Sequence, residues 1–171
     1  MVDFIPCFDY GKNNSITHDG YLNFMKKIID LYYDRLLPRS FTIRLVNDIE
    51  LILAGKVAKN TPLSCEISGR CGEIFSILTN GDVYPCECLN ALEEMCIGNI
   101  KDNTLNEIIK GAGYDRFKHL SKNISDKCYE CDVLTICKGG CFNRRMKQTE
   151  PLDYYCSVRK EIIKHVGKNC L

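Results

Sequence analysis

From Thr17 onward, apolar side chains return every three or four positions, at Leu22, Met25, Ile28, Ile29, Tyr32 and Leu36, which lays one apolar stripe along an α-helix. Thr17 supplies an N-cap, Asp19 an acid in the first turn, and Pro38 a stop. Residues 41–44 read as a short extended piece. Asn47 or Asp48 is then placed to cap a second helix carrying Ile49, Ile52 and Leu53, with Gly55 at its end. Ahead of both helices, Phe4, Ile5, Pro6, Cys7 and Phe8 read as a buried strand end running into polar residues 11–15, with Cys7 in the core. A lone strand cannot stand by itself, so this segment implies either a larger preceding sheet or packing on the helices.

After a polar loop at residues 56–62 the pattern changes. Residues 73–79 and 82–86 are β-rich and flank Asn80-Gly81, the pair that suits a type I′ turn. The expected hairpin pairs Thr79 with Asp82 and Leu78 with Val83, with Cys71 opening it and Cys86 closing it. Gly98, Asn99 and Ile100 read as a turn. Asn103 or Thr104 caps a short helix with Leu105, Ile108 and Ile109, and a further helical stretch carries Phe117 and Leu120. Pro151 and Asp153 start a last amphipathic helix holding Val158, Ile162 and Val166, with Gly167 as its stop. The class is α+β: N-terminal helices, one small antiparallel hairpin, and cysteine-rich loops.

Composition narrows the function. At 171 residues and 45% hydrophobic, the chain makes one domain or two small ones with a modest core, and it is not disordered. A formal charge of +1 gives no electrostatic footprint for nucleic acid or an anionic membrane. No basic segment leads into an apolar leader, and no apolar run reaches spanning length, so a cytoplasmic location is expected. Twelve cysteines, far above ordinary usage, then read as ligands in a reducing compartment rather than as a disulfide framework.

Four of those thiols fall in Cys128-x2-Cys131-x5-Cys137-Lys-Gly-Gly-Cys141. A thiolate is a soft ligand for zinc or an iron–sulfur cluster, and a Cys-x2-Cys turn lets two sulfurs share one metal or cluster. Gly139 and Gly140 leave room for backbone to approach a bulky inorganic core. Cys156, in the first turn of the last helix, stands where the helix dipole favours a thiolate. Lys127, Lys138, Arg144, Arg145 and Lys147 either compensate local negative charge or form a solvated basic face. His18 and His119 read as ordinary polar residues.

The spacings Cys71-x9-Gly81-x4-Cys86, Cys128-x2-Cys131-x5-Cys137-x3-Cys141 and Cys156 resemble the seven-cysteine signature of the SPASM domain, the C-terminal auxiliary domain of many radical S-adenosylmethionine enzymes. Cys65 adds the eighth thiol found in the anaerobic sulfatase-maturating enzymes and related peptide maturases. The resemblance implies two [4Fe-4S] clusters, one held by Cys65, Cys71, Cys86 and Cys141 and the other by Cys128, Cys131, Cys137 and Cys156. It implies residues 1–60 as the end of a radical barrel with linker helices, and residues 61–171 as the two-cluster domain. The role implied is to carry an electron from an oxidised substrate radical and to help hold a Cys- or Ser-bearing peptide. Glu87 stands where the maturases place an Asp as base. Cys88, Cys96 and Cys170 fall outside the signature.

The Cys-x3-Cys-x2-Cys triplet of the catalytic cluster does not occur in these residues. S-adenosylmethionine is therefore expected to bind only in a complete enzyme, with a radical barrel supplied in trans as one possibility. A free-standing iron–sulfur carrier and a structural zinc module are the alternatives from other classes.

Overall fold

The computed structural model describes residues 1–9, 14–34, 41–146 and 148–170. Leu36 and Pro38, expected to finish the first helix, most of the expected loop at 11–15, and Lys147 lie outside the described residues. The chain divides into two compact units, one formed by Met1–Gly69 and Asp126–Leu171, the other by Arg70–Ser125.

In the first unit, helix α1 (His18–Tyr33) begins as its sequence dictates: Thr17 Oγ1 accepts the Gly20 N–H at 3.1 Å. Tyr21, Met25 and Ile29 form its buried stripe, with Leu22, Ile28 and Tyr32 half-buried beside it. Helix α2 (Arg44–Leu53) starts earlier than the expected cap at Asn47 or Asp48. Its Leu45, Val46 and Ile49 are buried, and the Asp48 carboxylate accepts the Ser64 N–H at 2.8 Å instead of capping its own helix. Gly55 takes φ +66 just past the helix end, as the Gly stop requires. Helix α3 (Cys65–Ser68) is a single turn.

After the excursion into the second unit, the chain returns through α6 (Leu134–Cys137) and α7 (Phe142–Arg145) to α8 (Cys156–Asn169), which packs against α1 and α2. Gly167 does not stop α8, because the buried Val166 holds the last turn against the core. The core gathers Met25, Ile29, Val46, Ile49, Tyr155, Val158, Ile162 and Val166. Each buried aliphatic there contributes about 1.5–3 kcal/mol.

The N-terminal segment is extended but forms no strand; Val2 makes one parallel bridge to Ile43. Phe4 and Phe8 turn onto the core, while Ile5 and Cys7 face outward, the two-residue alternation of an extended chain. Cys7 is thus exposed and not a core residue.

The second unit holds three short antiparallel strands, β1 (Ser76–Ile77), β2 (Asp82–Tyr84) and β3 (Gly98–Asn99), in the order β1-β2-β3. Gly98 and Asn99, expected in a turn, instead pair with Val83 and Asp82. The β1–β2 register is one residue off the expected one, with Ile77 opposite Val83 and the Leu78 N–H on the Asp82 carbonyl. The cause lies in the turn. A type I′ turn needs positive φ at both central residues, but here only Gly81 takes it (φ +94), and Asn80 uses its Oδ1 to accept the Asp82 N–H at 3.1 Å. Helix α4 (Leu105–Ile108) opens on a full capping box between Thr104 and Glu107. Helix α5 (Ala112–Ser121) buries Phe117 and leaves Leu120 exposed. Together the elements are α+β. Among the described residues no helix is long and apolar enough to cross a membrane.

Candidate metal centre

Cys128 ends a 3₁₀ turn (Asp126–Cys128), and the Cys131 N–H returns to the Cys128 carbonyl at 3.1 Å, so the Cys-x2-Cys spacing closes into a tight turn. Cys137 is the last residue of α6. Lys138, Gly139 and Gly140 follow with φ of +53, +85 and +72, a left-handed run that reverses the chain before Cys141, the N-cap residue of α7. Glycine suits two of these positions; Lys138 bears strain of about 1–2 kcal/mol. Cys156 is the first residue of α8.

Cys128, Cys131, Cys137 and Cys156 line one cavity of about 310 Å³, together with Gly139 and Asp153. That donor set fits an iron–sulfur cluster. Burial pushes the thiols of Cys137 and Cys156 up, with Arg159 pulling against it, and the neighbouring Cys128 and Cys131 push Cys156 further. Loading the site has to release these protons.

Asp153, on the cavity wall, belongs to a largely buried charge network. Glu66 Oε2 accepts Arg144 Nη2 and Arg159 Nη2, each at 2.6 Å. Asp153 accepts Arg144 Nε at 3.0 Å, the Tyr155 N–H at 2.8 Å and the Cys141 N–H at 2.8 Å. Burial alone would raise the Glu66 carboxyl, but Arg159 and Arg144 overcome it and hold it near about 2. Asp153 is lowered likewise, against its burial. Arg159 Nε and Nη1 are buried and find no acceptor among the described residues.

Of these four residues Glu66 and Arg159 escape sequence reasoning, while Arg144 enters it only within the basic cluster and Asp153 only as the start of the last helix. Glu66 and Arg159 are 93 positions apart, so nothing local joins them. Arg144 and Arg145 are buried and so form no solvated face, whereas Lys127 is exposed and paired with Glu150.

The remaining sequence-predicted residues are distributed as follows. Cys65 opens α3 and is exposed; Cys141 is half-buried, its thiol pushed up by burial. Cys71 and Cys86 belong to the second unit, where the Cys71 carbonyl accepts Lys118 Nζ at 3.0 Å and Cys86 precedes a 3₁₀ turn (Glu87–Leu89). Glu87 is exposed. His18 Nε2 pairs with the Tyr154 carbonyl and His119 is exposed, as expected of ordinary polar histidines. Cys96 contacts the Gly98 carbonyl, and Cys170 contacts the Tyr33 hydroxyl.

Residues 65–132 match the SPASM iron–sulfur cluster-binding domain. The chain carries a SPASM domain. It is similar over nearly its whole length to the cysteine-type anaerobic sulfatase-maturating enzymes of Clostridium perfringens (31% identical, covering 96% of this chain and 46% of the relative) and of Clostridium novyi (34% identical, 86% and 40%). Among solved structures, native anSMEcpe with bound AdoMet and Cp18Cys peptide superposes with a TM-score of 0.80 at 30% identity, covering 98% of this chain and 48% of that one. The chain thus spans about half the length of the relatives it matches. A SPASM domain binds iron–sulfur clusters, which supply one-electron redox chemistry when bound. In this chain four thiols and the Asp153 carboxylate line one cavity, and Asp153 pairs with Arg144 and Arg159.

Proposed function

We propose that this chain is the auxiliary-cluster part of a radical S-adenosylmethionine enzyme that modifies a peptide, and that it holds two [4Fe-4S] clusters. By the resemblance, Cys65, Cys71, Cys86 and Cys141 hold one, and Cys128, Cys131, Cys137 and Cys156 hold the other. The observation that carries this reading is the single cavity lined by all four thiols of the second set. In this reading the clusters take up the electron released when a substrate radical is oxidised. The substrate is a peptide bearing Cys or Ser, which the peptide in the anSMEcpe structure supports. Glu87 serves as the base that removes the substrate proton. Residues 1–60 form the end of a barrel, residues 61–171 the cluster domain, and the radical-generating triplet comes from outside these residues.

Iron, acid-labile sulfide and zinc per chain, measured together after anaerobic reconstitution, test this. About eight iron and eight sulfide, the content of two four-iron clusters, is expected. About four of each overturns the two-cluster assignment, and stoichiometric zinc with little iron leaves a structural zinc module in its place.

A further inference from the structure

The charge network joins cysteines that the reading above gives to different clusters. Glu66 follows Cys65 directly, Arg144 lies three residues beyond Cys141, Arg159 three beyond Cys156, and Asp153 three before Cys156. Glu66 Oε2 takes both guanidiniums at 2.6 Å. Asp153 takes Arg144 Nε at 3.0 Å and the Cys141 N–H at 2.8 Å, with Arg159 Nη2 at 3.6 Å. Arg144, Asp153 and Arg159 are all buried, and Glu66 is half-buried.

No member of this network moves alone, because drawing a buried charge away from its partner is strongly destabilising. One side of it belongs to the cavity lined by Cys128, Cys131, Cys137 and Cys156: Asp153 is on the cavity wall, and Cys156 is the first residue of α8, the helix that carries Arg159. The other side is α3, whose single turn is closed by the Ile67 and Ser68 N–H groups on the Ser64 carbonyl. One isolated turn has no stability of its own. The place of Cys65 therefore rests on buried Ile67, on the Asp48 carboxylate that takes the Ser64 N–H at 2.8 Å, and on the ion pairs of Glu66.

Building on the two-cluster reading above, we propose that Glu66 and Asp153 are positioning residues that couple the two cluster sites. A cluster held by Cys128, Cys131, Cys137 and Cys156 fixes the start of α8, and through Asp153 and Glu66 this sets Cys141 and Cys65 in place for the other cluster. The first site to fill bears the cost of ordering the network, and the second fills on a network already ordered. Linkage makes the effect reciprocal, so each cluster raises the affinity for the other by the same factor. The chain loads as empty or full, with few molecules carrying one cluster.

The test supplies the full chain anaerobically with about four iron and four sulfide, half the content of two four-iron clusters, and counts clusters per molecule by native mass spectrometry. Two independent sites of equal affinity would leave about half the chains with one cluster, and unequal affinities only raise that share; a tenfold coupling lowers it to about a quarter. Wild type is expected at or below that quarter, and E66Q and D153N at half or above. M25A, which empties core volume on α1 and leaves the network intact, is expected to match wild type. Half or more of wild-type chains with one cluster overturns the proposal, as does a wild-type distribution in E66Q and D153N. So does M25A behaving like them, since the coupling would then belong to general stability. Should any of these variants take up no iron, C71A/C86A decides, because it keeps only the second thiol set complete. Chelating its cluster is expected to speed amide exchange at Ile67, Ser68 and Gly69 at least tenfold, although residues 65–69 hold no member of that set. Unchanged exchange there overturns the proposal and leaves the cluster reading standing. Fully supplied wild type with about four iron, or none, removes that reading and the proposal with it.

Discussion

Asp153 holds the backbone N–H of Cys141 on Oδ2 at 2.8 Å, so one carboxylate just ahead of α8 pins a cysteine twelve residues upstream. The same group takes the Tyr155 N–H at the entry to α8 and Arg144 Nε. It thereby ties the start of the helix that carries Cys156 to the loop that carries Cys141. D153A leaves the Arg144 cation buried without this partner, at a cost of about 3–5 kcal/mol. D153N keeps the shape and loses the charge, so it falls between D153A and wild type. Urea unfolding of the three proteins checks the order, and equal midpoints would show that the carboxylate holds nothing.

Gly140 tests the same contact from the other side. It sits at φ +72, and a Cβ there would run into the Asp153 carboxylate. Gly55 takes a similar φ of +66 but has nothing within 4 Å of the same position. G55A therefore carries only the left-handed strain, about 1 kcal/mol. G140A adds displacement of Asp153 and is expected to lose at least twice as much stability and to take up less iron. Equal unfolding midpoints for the two variants would contradict the clash.

What the sequence disclosed followed from how local each cause is. The α1 stripe, the Thr17 cap and the Thr104–Glu107 box depend on neighbours within one turn, and all three were legible. Asp48 looked like a cap because nothing nearby reveals that its carboxylate serves Ser64, sixteen residues on. The Asn80-Gly81 pair announced a turn but not its type, which cost one residue of register. Cysteine spacing is informative because thiols so grouped have no packing role. Half-buried Glu66 and buried Asp153 and Arg159 were illegible because charged residues read as surface until their partners are known.

Acid is expected to weaken the first unit through Glu66. Its carboxyl lies near about 2 in the fold against an ordinary 4.5, since the two guanidiniums outweigh the effect of burial. A depressed folded value means that the stabilisation is complete above pH 4.5 and is lost as pH falls toward 2. At 1.36 kcal/mol per pH unit this amounts to about 3 kcal/mol. E66Q should be less stable at neutral pH, and its unfolding midpoint should change less than that of wild type across this window. Parallel acid profiles, followed by circular dichroism, would rule out Glu66 as the source.

Removing the metal should loosen the molecule unevenly. Residues 126–141 contribute Val133 and Ile136 to the core, but their turns stand round a cavity that the four thiols line. Helices α1 and α2 meet α8 through Met25, Ile29, Val46, Ile49, Ile162 and Val166, all removed from solvent. The first region depends on what the thiols bind, because a site that forms only in the fold turns binding energy into folding energy. The second has an apolar core of its own. Amide hydrogen exchange before and after anaerobic chelation should therefore speed up at least tenfold in residues 126–141 and much less in α1. Equal protection with and without iron would mean that the cysteine loops are held by packing alone, and uniform loss in both regions would mean that the helical core cannot stand without the cluster.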